Sequence, residues 1–373
     1  MKSTSYSRVQ RSFLRYQHVF VFLAPIVFIV GVFFGAPTPS EAGASYWLEY
    51  WWLFPAFLLG ATIVNTVGIS GSAIFVPFLI FVYPLFASPL DPPTIVKVGL
   101  ISEAFGLSSS SIAFIQYGLV DRRLALALVG GAVPFVVAGA LLSFVIPEPL
   151  FHGLLGVALL SASYLLFKAD LDHESDATDD TDDAEDDASP SADGDVETAI
   201  DGGHAEMPND PGKLGPAGVR TDEDGNVTRI DREGDDYRYT REGYLRRFAN
   251  YSIGGTFQGL AGFGVGELGI ISMLGTKVPV RVAIGTNHIV VALTAILASL
   301  VHVFGGGLVG GHSLSLASTP WNMVVFTVPA TVTGGQIAPY VSNALSTSTI
   351  KAFVGGLFAV ISIALFLMAL GGV

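Results

Sequence analysis

Gly262-Phe263-Gly264-Val265-Gly266 lies inside the apolar run Phe248 to Leu274, and a second glycine-rich stretch, Gly68-Ile69-Ser70-Gly71-Ser72, lies inside Trp51 to Phe86. A straight helix does not survive five such residues in lipid. Each Gly costs about 1 kcal/mol relative to Ala, and no water replaces the lost backbone bonds. Both segments are therefore expected to break at membrane depth. A break leaves peptide N–H groups unpaired, and the half-helix that follows turns the positive end of its dipole towards them, which suits an anion. Broken helices at matching places in two halves of a chain point to the substrate site of a transporter.

The composition agrees. Of the 373 residues 51% are hydrophobic, too many for a soluble globular chain, and several runs approach the roughly 20 residues that span a bilayer. The expected class is all-α, a polytopic membrane helical bundle. Zero Cys removes disulfides, thiolate metal sites and Cys nucleophiles. The charge of -13 is concentrated in one place: Lys168 to Arg247 carries 25 acids against 9 bases, whereas the rest of the chain is mildly basic. That balance fits a bundle obeying the positive-inside rule and gives no footprint for nucleic acid.

The chain divides into an N-terminal helix and external loop (1–45), a first transmembrane repeat (46–167), an acidic linker (168–247) and a second repeat (248–373). Lys2, Arg8, Arg11 and Arg15 precede the apolar run Val19 to Phe34, which reads as a retained first helix with a cytoplasmic start, although a signal peptide has a similar pattern. Further spans read as Thr94 to Tyr117, Leu124 to Ile146, Leu150 to Phe167, Val280 to Phe304, Trp321 to Val341 and Ile350 to Leu370. The run Asp176 to Asp187 is too charged to bury a core, so most of the linker is expected to be disordered, with a small hairpin across Asp222 to Ile230. If each broken segment is a helical hairpin, the start, Arg122-Arg123, Arg246-Arg247 and the acidic loop fall on the cytoplasmic side, so hairpins are preferred to single crossings.

A duplication is visible in the residues. Val96-Lys97-Val98-Gly99-Leu100-Ile101-Ser102-Glu103 aligns without gaps to Val280-Arg281-Val282-Ala283-Ile284-Gly285-Thr286-Asn287, each shortly after a glycine break. With these two glycine signatures, Pro77 after the first, and Ala283-Ile284-Gly285-Thr286 as the later element of the second half, the sequence resembles the TauE/SafE sulfite exporter family, also called the toluene sulfonate uptake permease family. The resemblance covers Phe54 to Phe167 and Phe248 to Leu370, and neither half has the family's full glycine triplet. It implies movement of a sulfur-containing anion such as sulfite, a sulfonate or thiosulfate, without ATP.

The candidate substrate-binding residues are Gly68, Ser70, Gly71, Ser72, Ser102, Gly262, Gly264, Gly266, Thr286, Asn287 and His288. The glycines supply N–H donors, the hydroxyls and Asn287 further polar contacts, and His288 a donor or proton relay. Against this stands a purely structural role: small residues for close helix packing, hydroxyls bonded to their own helix, and a histidine satisfied between helices. Glu103, well inside a span, is the candidate for the coupling proton, with a hydrogen bond to Ser108 to Ser111 as the structural alternative. Glu267, directly after the second break, has a similar claim. No cofactor, no metal site and no catalytic residue is expected; His288 and His302 stand about 21 Å apart along one helix. The expected partners are a small anion and the lipid bilayer, and nothing in the sequence sets the oligomeric state. Two other classes remain open. Gly68-Ile69-Ser70-Gly71 satisfies the G-x-S-G motif of rhomboid-type intramembrane serine proteases, with His288 as base, and the acidic loop suits a channel or sensor that binds a partner.

Overall fold

A computed structural model describes residues 8–38, 43–171, 219–221, 226–230, 236–305, 319–344 and 347–370. The helices are α1 (Arg8–Gly35), α2 (Ala44–Leu48), α3 (Leu53–Val67), α4 (Ser72–Pro77, continued by a π turn and a 3-10 turn to Leu85), α5 (Pro92–Gln116), α6 (Arg122–Leu142) and α7 (Glu148–Leu171). After three strands follow α8 (Tyr244–Ala261), α9 (Val265–Leu274), α10 (Val280–Phe304), α11 (Trp321–Ala344) and α12 (Thr347–Ala369). Among the described residues, four helical segments are long and apolar enough to cross a membrane: Ala44–Val67, Pro93–Gln116, Arg122–Leu142 and Val280–Phe304.

Both glycine stretches break the chain, and both breaks are hairpins. Gly68 ends α3 at φ 80° and Gly262 ends α8 at φ 86°, the left-handed conformation that glycine takes without a Cβ clash. In the first hairpin Trp52 stacks on Tyr83 (5.6 Å) and Phe57 on Phe75 (4.4 Å), so advancing along α3 pairs with retreating along α4. In the second, Arg247 donates to Thr276 near the mouth (2.6 Å), and Gly254 touches Gly264 near the tip.

The two hairpins enter from opposite ends of the bundle. One mouth carries Tyr50, Trp52 and Tyr83; the other lies beside the α5–α6 turn with Asp121. Three long helices, α5 to α7, separate the first hairpin from the second, and an odd number of crossings reverses the direction of insertion. Packing follows the same inversion. α5 lies against α10 and α7 against α12, like with like, while α3 packs on α11 and α8 on α6, each hairpin arm on the opposite half. The two halves are interlocked rather than side by side.

The α6–α8 contact depends on glycine. A Cβ on Gly139 would stand 2.0 Å from the Thr256 carbonyl oxygen, and one on Gly259 would stand 2.0 Å from that of Val136. Backbone meets backbone there. Such close approach by small residues is how membrane helices gain dispersion energy without a hydrophobic driving force.

The linker holds one element more than the hairpin expected of it. Residues 172–218, including the run Asp176 to Asp187, lie outside the described residues, but β1 (Val219–Thr221), β2 (Asn226–Ile230) and β3 (Asp236–Thr240) form an antiparallel sheet. The pairing Thr221↔Val227 is the expected hairpin, and β3 adds a third strand in register Val227↔Tyr239. Val227 and Tyr239 are buried against the helix ends. Acidic composition masked a short segment whose apolar and basic residues dock it.

Replacing Gly259 by Ala should therefore force α6 and α8 apart and cost about 1–3 kcal/mol, the usual penalty of overpacking. Gly130, with open space around it, should accept Ala with little change. Thermal melting of the two variants in detergent checks the contrast.

Candidate functional site at the hairpin tips

The tips meet inside the bundle, where Gly266 N–H donates to the Ser70 hydroxyl oxygen (3.2 Å). A Cβ on Gly266 would fall 2.3 Å from Ser70 N, so this crossing also requires glycine. Ser70, Ser72, Glu103, Tyr251, Gln258, Glu267 and Asn287 surround it, each at most 1% exposed.

Each half-helix that starts at a break is capped by a carboxyl group. Glu103 reaches from α5 to the start of α4, where its Oε2 accepts from Ser72 N–H (3.0 Å) and from the Ser72 hydroxyl. Glu267, three residues after Gly264, folds back so that Oε2 accepts from Gly264 N–H (2.7 Å), while Oε1 accepts from Ser70 N–H in the other hairpin (3.1 Å). Of the N–H groups in the two glycine stretches, those of Ser70, Ser72 and Gly264 are thus taken up by the chain's own carboxyls, those of Gly68 and Gly262 close onto their own helices, and that of Gly266 goes to Ser70. All donors to these two carboxyls are neutral.

Gln258 joins the two carboxyl groups. Its Nε2 donates to Glu103 Oε1 (3.1 Å), and its Oε1 accepts from the Ser70 hydroxyl (3.2 Å). That hydroxyl proton is shared, since Glu267 Oε2 stands at the same distance. Asn287 pins both breaks: Nδ2 donates to the carbonyls of Gly68 (2.9 Å) and Gly266 (2.8 Å), and Oδ1 accepts from the Tyr251 hydroxyl (2.6 Å).

Of the residues singled out in the sequence, Gly68, Ser70, Gly71, Ser72, Glu103, Gly262, Gly264, Gly266 and Asn287 come together here. Three do not join this network. Ser102 donates to Thr327 Oγ1 (2.7 Å), Thr286 accepts from Asp121 N–H (2.9 Å), and His288 packs on Phe114 with neither ring nitrogen hydrogen-bonded. The interhelical bond expected for His288 as its structural role is therefore not made, nor does Glu103 bond Ser108 to Ser111. Lys97, which the repeat sets opposite Arg281, is 1% exposed. Gln258 and Tyr251 were missed. Their signal was present, two polar residues seven apart on the helix leading into Gly262, hence on one face. Among the described residues no group of His, Asp and Glu is arranged to hold a metal ion.

At one end of the bundle the sheet closes over the turn before α6. Asp121 caps that helix through Arg123 and Leu124 N–H (both 3.1 Å) and accepts from Arg241 Nε (2.8 Å) and the Tyr239 hydroxyl (2.9 Å). Burial alone would raise its carboxyl, but the Arg241, Leu124 and Tyr239 hydrogen bonds outweigh it and hold Asp121 below the usual aspartate range.

Inverted halves, opposed hairpins and a buried polar crossing between them define a membrane transporter of the broken-helix kind. Residues 53–365 match the family model described as sulfite exporter TauE/SafE, and the chain belongs to that family, a family of membrane transporters of sulfite and related sulfur anions. No curated protein matches the chain, and no solved structure does.

Because the folded-state value of Asp121 is depressed, the stability it lends to the docked sheet is present above the ordinary value of 3.8 and is lost as pH falls through the folded one. Amide exchange of residues 226–230 and 236–240 should accelerate on such acidification. Asp121→Asn should give the same acceleration at neutral pH, a loss of about 1–2 kcal/mol. Exchange indifferent to both changes would mean that Asp121 does not hold the sheet.

Proposed function

We propose that the protein carries a sulfur-containing oxyanion, of the sulfite, sulfonate or thiosulfate class, across the cell membrane by alternating access, with the anion bound at the crossing of the hairpin tips. The observation that carries this reading is the occupation of the half-helix N–H donors by Glu103 and Glu267. A site that grips a carboxylate with backbone N–H groups is chemically a site for an oxyanion. Carboxylate and substrate cannot use the same donors together, and two like charges in a buried place repel each other strongly.

Protonation resolves the conflict. A neutral carboxyl releases the N–H groups and offers an O–H donor of its own, so anion and proton bind together. Two protons with a divalent anion move no net charge. Without them each elementary charge would be subject to about 2.3 kcal/mol per 100 mV. Glu103 and Glu267 are the coupling groups in this scheme. Ser70, Ser72 and Asn287 hold the tips, and His288, buried without a hydrogen-bond partner, lies one residue beyond Asn287 for the anion's path.

Orientation follows from charge. Arg122, Arg123, Arg241, Arg246 and Arg281 gather at the end that carries the sheet, which the positive-inside rule makes cytoplasmic, together with the N-terminus and the acidic loop. The linker then works as a cytoplasmic insertion between 46–167 and 248–373. The protease reading lacks its catalytic contact among the described residues, because the Ser70 hydroxyl is held by Gln258 and Glu267 and His288 bonds neither.

Flux of sulfite, thiosulfate and a sulfonate into proteoliposomes tests this. An inward proton gradient should accelerate uptake by the wild type. Glu103→Gln, which fixes the neutral form, should flatten the pH dependence while retaining measurable exchange. An unaltered pH profile in Glu103→Gln would remove this residue from coupling, and absence of flux for all three anions would remove the substrate class.

A further inference from the structure

Two guanidinium groups reach the α5–α6 turn, and a third, that of Arg247, adjoins them through the Arg241 backbone, against one carboxylate. Arg241 bonds Asp121, Arg229 donates from Nη1 to the Gly118 carbonyl (2.6 Å), and Arg247 donates from Nη2 to the Arg241 carbonyl and from Nη1 to Thr276 Oγ1 (2.6 Å). Arg229 is 4% exposed and Arg247 not at all. In both, Nε is buried with no hydrogen-bond partner.

A buried guanidinium is costly unless an anion compensates it, and its five N–H groups suit two oxygens of one acid. Asp121 is already spent on Arg241, on Tyr239 and on capping α6. The nearby charged groups on the rim do not reach in: Arg122, Arg123, Glu242 and Arg246 are exposed, and Arg281 bonds Tyr237 at the sheet. Two buried cations, each with an orphaned donor, are therefore left without a carboxylate among the described residues.

We propose that this cluster, Arg247 and Arg229 with Tyr239, is a second oxyanion site, a vestibule at the sheet-covered end of the bundle. Its ligand is a tetrahedral or pyramidal sulfur or phosphorus oxyanion. Location adds to the argument. Tyr251 stands one turn beyond Arg247 on α8 and donates to Asn287, which pins the hairpin tips, so an anion released from the vestibule is already beside the central site. The insertion that supplies Arg229, Tyr239 and Arg241 thus takes part in substrate capture.

The same chemistry comes from two sources, a free anion or the phosphate of an anionic lipid, and both are tested on the full-length protein. Melting temperature is followed in nanodiscs of phosphatidylcholine with added sodium sulfate, and separately in nanodiscs containing phosphatidylglycerol. Sulfate should raise the melting temperature of the wild type. The apparent affinity should weaken roughly tenfold in Arg247→Gln and in Arg229→Gln, the loss of one charge-assisted contact, and recover in part in Arg247→Lys. Neither arginine touches the hairpin-tip network, so loss of the sulfate response in these two variants reports on the vestibule alone, while failure of the transport reading is seen separately in the flux measurement. Stabilisation by phosphatidylglycerol instead of sulfate, lost in the same variants, supports the site with a lipid phosphate as its occupant. If neither addition stabilises the wild type, or if both arginine variants respond as the wild type does, the vestibule is overturned.

Discussion

A peptide group inside a bilayer must be hydrogen-bonded by the protein itself, and every feature of the centre of this molecule answers to that constraint. Two backbone breaks at membrane depth would each strand several N–H and C=O groups. The chain satisfies them by driving the breaks against each other: Glu267 serves N–H groups of both hairpins, and Asn287 serves carbonyls of both. Neither hairpin is satisfied alone. A movement that separates the tips must therefore supply other partners, which gives a bound anion or a proton direct leverage over conformation.

The repeat makes the asymmetry of the two halves informative. Glu103 and Asn287 occupy equivalent positions and both reach the start of the second arm of their own hairpin. One accepts from N–H, the other donates to C=O. Duplication has kept the placement and exchanged the polarity, and in the second half the capping task passes to Glu267 on the half-helix itself. The ionisable group is thus retained at each break by a different route.

Much of this was legible in the sequence. Five small residues in an apolar run signal a break wherever they occur, and the six long spans were bounded to within a few residues because hydropathy changes sharply at Asp121, Pro147 and Pro279. Glu103 stood out as an ionisable group well inside an apolar span, and Asn287 as a polar residue beside Thr286 near the start of another. Gln258 and Tyr251 were not legible as functional, since their meaning comes from the other half of the chain, which crosses them from the opposite direction. Arg247 was read as a marker of orientation because its burial depends on the α8–α9 hairpin and the sheet together. Strand β3 was hidden by the acidic residues around it, which outweighed the few that dock.

The central claim is that the two tips are held by contacts between Ser70 of one hairpin and Glu267 of the other. A double-mutant cycle on melting stability with Ser70→Ala and Glu267→Gln measures this coupling most directly. The account predicts an interaction of about 1 kcal/mol or more, as for buried residues in one hydrogen-bonded network. Additive losses within experimental error would contradict it.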